Sequence, residues 1–400
     1  MTQFDSRIRE IVAHAYARAP AIRTLLDKAG ITPDMIQGAA DLAKIPVLRK
    51  DELVEIHQQN PPFGGFLTID PATLPRIYIS PGPIYDPQPP PEDPEAALAP
   101  FKYVGFTRGD RVLNTFMYHL TPAGLLLDEA LIACGATVVP TGPGNTDLQI
   151  MMIMSLQING FVGQPSYLMT ILDKMESMGI SAAQNPLKKA LFSAEPYTPA
   201  QRQRFESDYG MRTTSAYGTA DLGFMGYTVE NVAGFKLVNT LYMQVVDPTT
   251  GEDVEPGATG EIVVTTFNKA YPLLRFGTGD LGALSPHLLE GSQHLLGLFG
   301  RSGEAIKVRG MFLHPNQLKM AAMAFPQIQR LQAVITRPAN ADVVTLRLEM
   351  ADGATDEALG ENLKALAQNA VRLRIDTVEF LPSGTIGENE RTIVDGRDWK

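Results

Sequence analysis

Apolar residues recur at helical spacing near the N-terminus, where Ile8, Ile11, Val12, Ala15 and Tyr16 make one stripe. That periodicity predicts a helix over 7–29, with Gly30 as its stop. From residue 111 onward, short β-type runs alternate with longer helical ones. Strands are expected at 111–116, 136–141, 161–163, 191–193 and 213–216. Helices are expected from Thr121 to near Gly135, over 146–159, and over 166–178 with Gly179 after it. The first of these should take Thr121 as N-cap and Pro122 as its first helical residue. Thr198-Pro199-Ala200-Gln201 reads as a capping box opening a helix that stops at Gly210. Such alternation implies a parallel sheet with helices on its faces.

Two stretches break the rhythm. Residues 61–100 are rich in proline, with Pro87-Gln88-Pro89-Pro90-Pro91 the most crowded part, and read as loop. After residue 235 the pattern turns β-rich, with strands expected at 236–246 and 261–267 and an Asp247–Gly251 turn between them. Past Gly300 a smaller α+β unit is expected, with strands at 306–309, 332–335, 343–349 and 377–381 and helices at 315–324 and 356–372. The fold class is therefore α/β: a large N-terminal domain of parallel sheet, helices and a β-rich subdomain over 1–300, and a small α+β domain over 301–400. Phe299-Gly300-Arg301-Ser302-Gly303 is the expected boundary.

Four hundred residues with 44% hydrophobic and 20% charged composition are enough to bury a sizeable core. The formal charge of −10 disfavours broad nucleic-acid binding, because phosphate backbones require a basic face. A single cysteine, Cys134, rules out an internal disulfide and fits a reducing cytoplasm. The opening residues lack a basic segment followed by an apolar run, so no secretory signal is expected. No run approaches the ~20 apolar residues of a membrane-spanning helix. The 6 histidines are scattered without metal-ligand spacing, so no structural metal site is expected.

Several segments, taken in order, resemble the phenylacetate–coenzyme A ligases of the adenylate-forming superfamily. They are Asp41–Pro46, Gly109–Phe116, Gly135–Pro140, Ala194-Glu195-Pro196-Tyr197, Tyr217-Gly218-Thr219-Ala220-Asp221, Thr278-Gly279-Asp280-Leu281, and Gly300-Arg301-Ser302 with Lys307 and Arg309-Gly310. Their order and spacing span nearly the whole chain. The resemblance implies that a carboxylic acid reacts with ATP, pyrophosphate leaves, and the acyl-adenylate passes to coenzyme A. It gives Tyr217 the role of the ring stacked on adenine. Ala194, Glu195 and Pro196 form the opposite edge, and Gly218 follows Tyr217. Asp280 accepts hydrogen bonds from the ribose hydroxyls. Arg301 reaches the ribose and phosphate, and Asp221 holds Mg²⁺. The acyl pocket is expected around Phe116, Tyr118, His119, Leu120 and Gly124, at the carboxyl end of a strand. His119, where the family has a small residue, gates that pocket, meets a polar acyl group, or packs beside Tyr118 with its ring satisfied by backbone.

Four positions depart from the family pattern. The phosphate loop falls on Ser80-Pro81-Gly82-Pro83-Ile84-Tyr85-Asp86-Pro87, where the prolines supply no N–H, no threonine is present and Asp86 adds negative charge. Only Ser80 and Gly82 remain to cradle phosphates. Asp221 replaces a glutamate. Gly303 replaces the hinge aspartate, with Glu304 next to it. The C-terminal lysine falls on Glu388 or Asn389, with Arg391 as partial substitute and Lys307 and Lys400 as further candidates. Losing such a positive charge costs on the order of 10²–10³-fold in rate. All four weaken ATP handling. Three functions stay open: an acyl- or aryl-CoA ligase acting on an aromatic or related carboxylate; a repurposed member that transfers acyl groups from a preformed acyl-CoA or acyl-adenylate without ATP; and a non-catalytic nucleotide- or CoA-binding protein. The partners expected are small molecules, a carboxylate or acyl-CoA, with no nucleic acid or membrane. A homodimer is expected only because it is the commonest oligomer.

Overall fold

The computed structural model describes residues 4–80, 84–302, 306–309, 311–313, 315–351, 355–371, 373–387 and 390–398. The chain divides into two compact units. The first comprises Met1–Gly163, Ser181–Ser193 and Phe205–Ser302; the second gathers Gln164–Ile180, Ala194–Arg204 and Gly303–Lys400.

The first unit opens with two helices, Asp5–Arg18 and Pro20–Lys28, in place of the single helix expected over 7–29. Pro20 is the reason. Its ring pushes Ala19 to extended backbone (φ −105°, ψ 103°), so the chain breaks and restarts with proline at the first helical position. The proline-rich stretch is not all loop either. It holds an antiparallel hairpin, β1 (Arg76–Ser80) and β2 (Ile84–Gln88), and helix Pro94–Val104. A two-stranded ribbon tolerates Pro87 because its missing N–H costs no interior ladder bond. Pro94 starts the helix, where the N–H is spare, and Asp93 caps it by accepting from Ala96 N at 3.1 Å.

An eleven-stranded sheet follows. Its strands are β3 (Arg111–Asn114), β4 (Thr137–Pro140), β5 (Gly160–Gly163), β6 (Lys189–Phe192), β7 (Arg212–Thr219), β8 (Gly223–Tyr227), β9 (Phe235–Leu237), β10 (Leu241–Val246), β11 (Gly260–Thr266), β12 (Phe276–Leu284) and β13 (His294–Arg301). The order is β10-β11-β12-β13-β9-β8-β7-β6-β5-β3-β4. Strands β3 to β7 pair in parallel, as the alternation implies, and every other pairing in the sheet is antiparallel. The change occurs at β7, so the β-rich part continues the same sheet. The single strand expected over 236–246 is two, β9 and β10, parted by Val238-Asn239-Thr240.

Helix Ala123–Ala133 has Pro122 as its N-cap, one residue later than expected, and packs Leu127 and Leu131 with Leu98, Phe101, Val112, Val162 and Leu191. A second core joins the N-terminal helices to Phe267, Leu273 and Phe276. Arg275, 1% exposed, ties that core together: its guanidinium donates to the carbonyls of Ile45 (2.6 Å), Gly251 (2.7 Å) and Ala43 (3.1 Å). Carbonyl acceptors on three sides are what make a buried guanidinium tolerable.

The second unit carries a hairpin, β14 (Ile306–Val308) with β15 (Met311–Leu313), and a four-stranded sheet. That sheet runs β18 (Thr377–Leu381), β17 (Ala341–Met350), β16 (Ile328–Ala339) and β19 (Ile393–Asp395). Val344, Leu346 and Leu348 alternate toward Leu363 and Ala367 of helix Glu357–Val371, the period-two face expected of a half-buried sheet. The same unit holds helices Pro165–Ser177 and Pro199–Arg202. The capping box at the latter forms as expected, with Thr198 Oγ1 accepting from Gln201 N at 3.3 Å and Gln201 Oε1 accepting from Thr198 N at 2.9 Å. Wider π-type turns carry the chain on over Gln203–Asp208. Among the described residues no helix is long and apolar enough to cross a membrane.

Candidate active site

Strands β7, β12 and β13 bring three residues of the first unit into one chain of contacts. The Tyr217 hydroxyl on β7 donates to Asp280 Oδ2 on β12 at 2.8 Å. Asp280 stands opposite Arg301 in the β12–β13 register, and Arg301 Nε lies 3.2 Å from Asp280 Oδ1. Arg301 Nη2 also donates to Thr278 O at 3.2 Å. Burial, reinforced by the Asp280 charge, pushes the Tyr217 phenol well above its ordinary range, so it stays protonated and remains a donor. Gly279, at φ +72°, turns the backbone beneath this cluster in a conformation that disfavours a side chain. Asp280 keeps its side chain 18% exposed. Each of its oxygens has a second lone pair for an outside donor.

The β7–β8 turn then delivers Asp221. Gly218 lets the two strands close, because a Cβ there would meet Gly223 O at 2.5 Å. Thr219 Oγ1 accepts from Leu222 N at 3.2 Å and fixes the turn. The Asp221 side chain is 4% exposed; Lys50 Nζ donates to Oδ2 at 2.8 Å, and among the described residues no donor reaches Oδ1. Tyr271 lies close enough for Asp86 and Asp221 both to add to burial in raising its phenol pKa, and its hydroxyl sits 2.8 Å from His57 Nε2. Among the described residues no group of three or more His, Cys, Asp or Glu is placed to hold a metal ion.

Around the carboxyl end of β3, Asn114 organises the segment expected to form the acyl pocket. It is fully buried. Its Nδ2 donates to Tyr118 Oη at 2.8 Å and to Gly124 O at 2.9 Å, and its Oδ1 accepts from Phe116 N at 3.1 Å. The Tyr118 hydroxyl in turn donates to Asp128 Oδ1 at 2.8 Å. Gly124 allows helix Ala123–Ala133 to start against Met117, whose carbonyl oxygen would lie 2.4 Å from an added Cβ. Phe116, Tyr118 and Gly124 are thus drawn into one network, while His119 is exposed and offers its carbonyl to Thr121 N–H at 2.7 Å.

Residues 100–269 match the AMP-binding enzyme family. The phenylacetate–coenzyme A ligase of Thermus thermophilus is 30% identical over 364 residues, covering 87% of this chain and 81% of that protein. The phenylacetate–coenzyme A ligase of Aromatoleum evansii is 30% identical over 375 residues, covering 90% and 84%. The chain belongs to the phenylacetate–coenzyme A ligase-like adenylate-forming enzymes. Its fold is that of a 2-hydroxyisobutyryl-CoA ligase solved with 2-HIB-AMP and CoA, at TM-score 0.89 and 22% identity over 98% of this chain and 89% of that one. Adenylate-forming CoA ligases use ATP and coenzyme A, typically with Mg²⁺, and this chain is an enzyme family member of that ligase type.

The remaining family positions lie in the second unit or outside the described residues. Ala194 takes a left-handed backbone (φ 80°), and Pro196 follows two residues on. Glu195 is 4% exposed and accepts from Ser166 N at 2.7 Å, in the first turn of helix Pro165–Ser177, and from Arg337 Nη2 at 3.0 Å. Arg391 is exposed, and its carbonyl accepts from Gln332 Nε2 at 3.1 Å. Ser80 ends β1 with only its backbone described. Pro81, Gly82, Pro83, Gly303, Glu304, Gly310, Glu388, Asn389, Lys400 and the Lys307 side chain lie outside the described residues.

Three contributors escape a reading by family motif. Lys50 and Asp221 are 171 residues apart, and Arg337 and Glu195 are 142 apart, so no local spacing announces either pair. Asn114 falls inside a quoted motif, yet its role emerges only when Gly124 and Tyr118 close around it.

Proposed function

We propose that this enzyme activates an aromatic or related carboxylic acid as its acyl-adenylate and passes the acyl group to coenzyme A. The observation that supports this most is the Tyr217–Asp280–Arg301 chain of contacts. A partly exposed carboxylate with spare lone pairs, flanked by a guanidinium, fits two vicinal ribose hydroxyls and the adjoining phosphate. The residues therefore suit a nucleoside monophosphate. Asp221 suits a divalent cation through Oδ1 alone, and substrate or water would complete the coordination.

ATP, when bound, supplies the adenylyl group that makes the acid's carboxyl carbon reactive. In this reading Asp280 fixes the ribose and Arg301 counters negative charge beside it. Tyr217 holds the Asp280 carboxylate in one orientation through its hydroxyl. Asn114 sets the backbone of Phe116 and Gly124, and Tyr118 faces the acid from the same network. Ala194, Glu195, Pro196, Gly218, Ser80, Gly82, His119 and Arg391 keep the roles the family resemblance gives them. Cytoplasmic location and a homodimer belong to the same proposal. The test is acid-dependent exchange of labelled pyrophosphate into ATP across a broad panel of aromatic and aliphatic acids. Exchange with at least one acid supports ATP-driven activation, and silence across the panel overturns it.

A second reading has its own support in Asp86, a 7%-exposed carboxylate on β2 within the segment expected to form the phosphate loop. Negative charge there disfavours a triphosphate. In this reading the enzyme accepts a preformed acyl-CoA or acyl-adenylate and transfers the acyl group without ATP. Product formation from acyl-CoA and an amine or thiol, followed by mass spectrometry without ATP, separates the two. Calorimetry with AMP, CoA and acyl-CoA covers the non-catalytic alternative, which requires tight binding without turnover.

A further inference from the structure

The Glu195 carboxylate, in the segment given to the adenine edge, ends a chain of alternating charges in the second unit. Its Oε2 accepts from Arg337 Nη2 at 3.0 Å, and Arg337 Nε donates to Asp342 Oδ1 at 2.7 Å. Asp342 Oδ2 accepts from Arg397 Nη1 at 3.2 Å. Arg397 in turn holds Asp395 through two bonds, of 2.8 and 2.7 Å. The side chains of Glu195, Arg337, Asp342 and Arg397 are no more than 10% exposed.

The backbone aims Arg337 at this chain. In the β16–β17 register Thr336 faces Val343 and Ala339 faces Ala341, so Arg337 and Pro338 stand together against Asp342. That is a β-bulge, which turns a side chain out of the regular alternation and accommodates a proline without an N–H. At the other end of the chain, Ser166 N, in the first turn of helix Pro165–Ser177, donates to Glu195 Oε1 at 2.7 Å. Glu195 is therefore gripped on both oxygens, with its carboxylate turned away from solvent. Pro196, next in sequence, is exposed, so the segment offers a ligand its backbone rather than that carboxylate. Ala194 is left-handed at φ 80°, a conformation that a residue with a side chain keeps only where its surroundings impose it.

We propose that Arg337 is a positioning residue for the nucleobase: through the Glu195 carboxylate it holds the Ala194-Glu195-Pro196 backbone in the course that distinguishes adenine from other bases. The inference rests on the nucleoside reading proposed above and adds to it the residue that sets base preference. Removing the guanidinium takes away the donor on Oε2, and the left-handed Ala194 is then free to relax. A merely structural arginine would change stability and leave base preference alone.

The test is calorimetry of the full chain with AMP and with inosine monophosphate, which carries a carbonyl where adenine carries its amino group. Wild type should prefer AMP. Arg337→Gln should weaken AMP by about ten-fold, the size of one hydrogen bond to a charged group, and inosine monophosphate by no more than about two-fold. Glu195→Gln should do the same, and the double variant should bind AMP no more weakly than the weaker single, because both changes break one contact. Arg337→Lys, whose ammonium cannot span Asp342 and Glu195 as the guanidinium fork does, should fall between wild type and Arg337→Gln. It also carries the test where Arg337→Gln does not fold. Leu363→Ala, a core change elsewhere in the same unit, should lower the melting temperature and keep the preference for AMP. No AMP binding by wild type overturns the nucleoside reading and this inference with it. Where wild type binds AMP, four results overturn this inference alone. They are no base preference in wild type, an unchanged preference in Arg337→Gln and Arg337→Lys, additive losses in the double variant, and an equal loss of preference in Leu363→Ala.

Discussion

The Tyr217 hydroxyl and the Asp280 carboxylate, 63 residues apart in sequence, meet at 2.8 Å where β7 and β12 share a sheet. Tyr217 is 6% exposed, so its hydroxyl has no water to fall back on. Tyr217→Phe should therefore lower stability by about 1.5–3 kcal/mol, the range for a hydrogen bond to a charged group. Urea unfolding of the single variants and the Tyr217→Phe/Asp280→Asn double variant would isolate the pair. Strictly additive losses would show that the hydroxyl contributes nothing through Asp280.

Asp280→Asn addresses binding more than folding. Asparagine keeps one acceptor oxygen but loses the charge and presents donors toward the ribose. AMP affinity should fall by about ten-fold or more, with CoA affinity little changed. Equal AMP affinity in wild type and variant, by calorimetry, would remove Asp280 from the ribose role.

Much of this cluster is legible in the sequence. Thr278-Gly279-Asp280 and Tyr217-Gly218 are short motifs whose glycines have local physical jobs, one at positive φ and one at a 2.5 Å backbone approach. The parallel part of the sheet was readable too, because fully buried short strands such as β5 and β6 stand out between helices. Proline misled the reading in both directions. Pro20 breaks a helix that the apolar periodicity runs straight through, while Pro87 sits in a strand and Pro94 begins a helix within the segment whose proline content predicts loop. Proline marks a constraint on φ and a missing donor, and both are satisfied at ribbon edges and helix starts as well as in loops. Lys50 and Arg337 were not readable, because their partners are set by tertiary closure.

Lys50→Met tests the first of those pairs. The Asp221 carboxylate is nearly enclosed, and among the described residues the Lys50 ammonium on Oδ2 is its one cationic partner. Removing the ammonium leaves a buried charge, which destabilises by about 1–3 kcal/mol given that Lys50 itself is one-third exposed. Lys50→Met/Asp221→Asn should recover most of that loss in urea unfolding. A Lys50→Met protein as stable as wild type would mean that solvent already screens the pair.

Acid sensitivity should originate partly at His57. The ring is 3% exposed, and burial lowers its pKa below 6.5, with the Asp221 charge opposing only in part. A depressed pKa means that the unfolded chain takes up the proton first. The stability from neutral His57 is therefore full above 6.5 and lost as pH falls from there toward the folded-state value. Urea unfolding at about pH 7.5 and about pH 5.5 should show a drop that is smaller in His57→Gln, which can still accept from Tyr271. The same drop in both proteins would assign the acid sensitivity to other groups.

Gly124→Ala probes the acyl-side network without touching the nucleoside cluster. A single methyl at this position would lie 2.4 Å from Met117 O and 3.0 Å from Tyr118 Cα, both backbone atoms that cannot rotate away. The helix start must shift, and the Asn114 Nδ2 bond to Gly124 O must lengthen with it. Overpacking of this kind costs about 1–3 kcal/mol. Because the same asparagine holds the Tyr118 hydroxyl, the shift should reach the proposed acid pocket as well. The expected outcome is a lower melting temperature together with a raised KM for the acid in the pyrophosphate-exchange assay, while the KM for ATP stays within about two-fold. A lower melting temperature with both KM values unchanged would leave Gly124 a packing residue only, and would move the acid away from Tyr118.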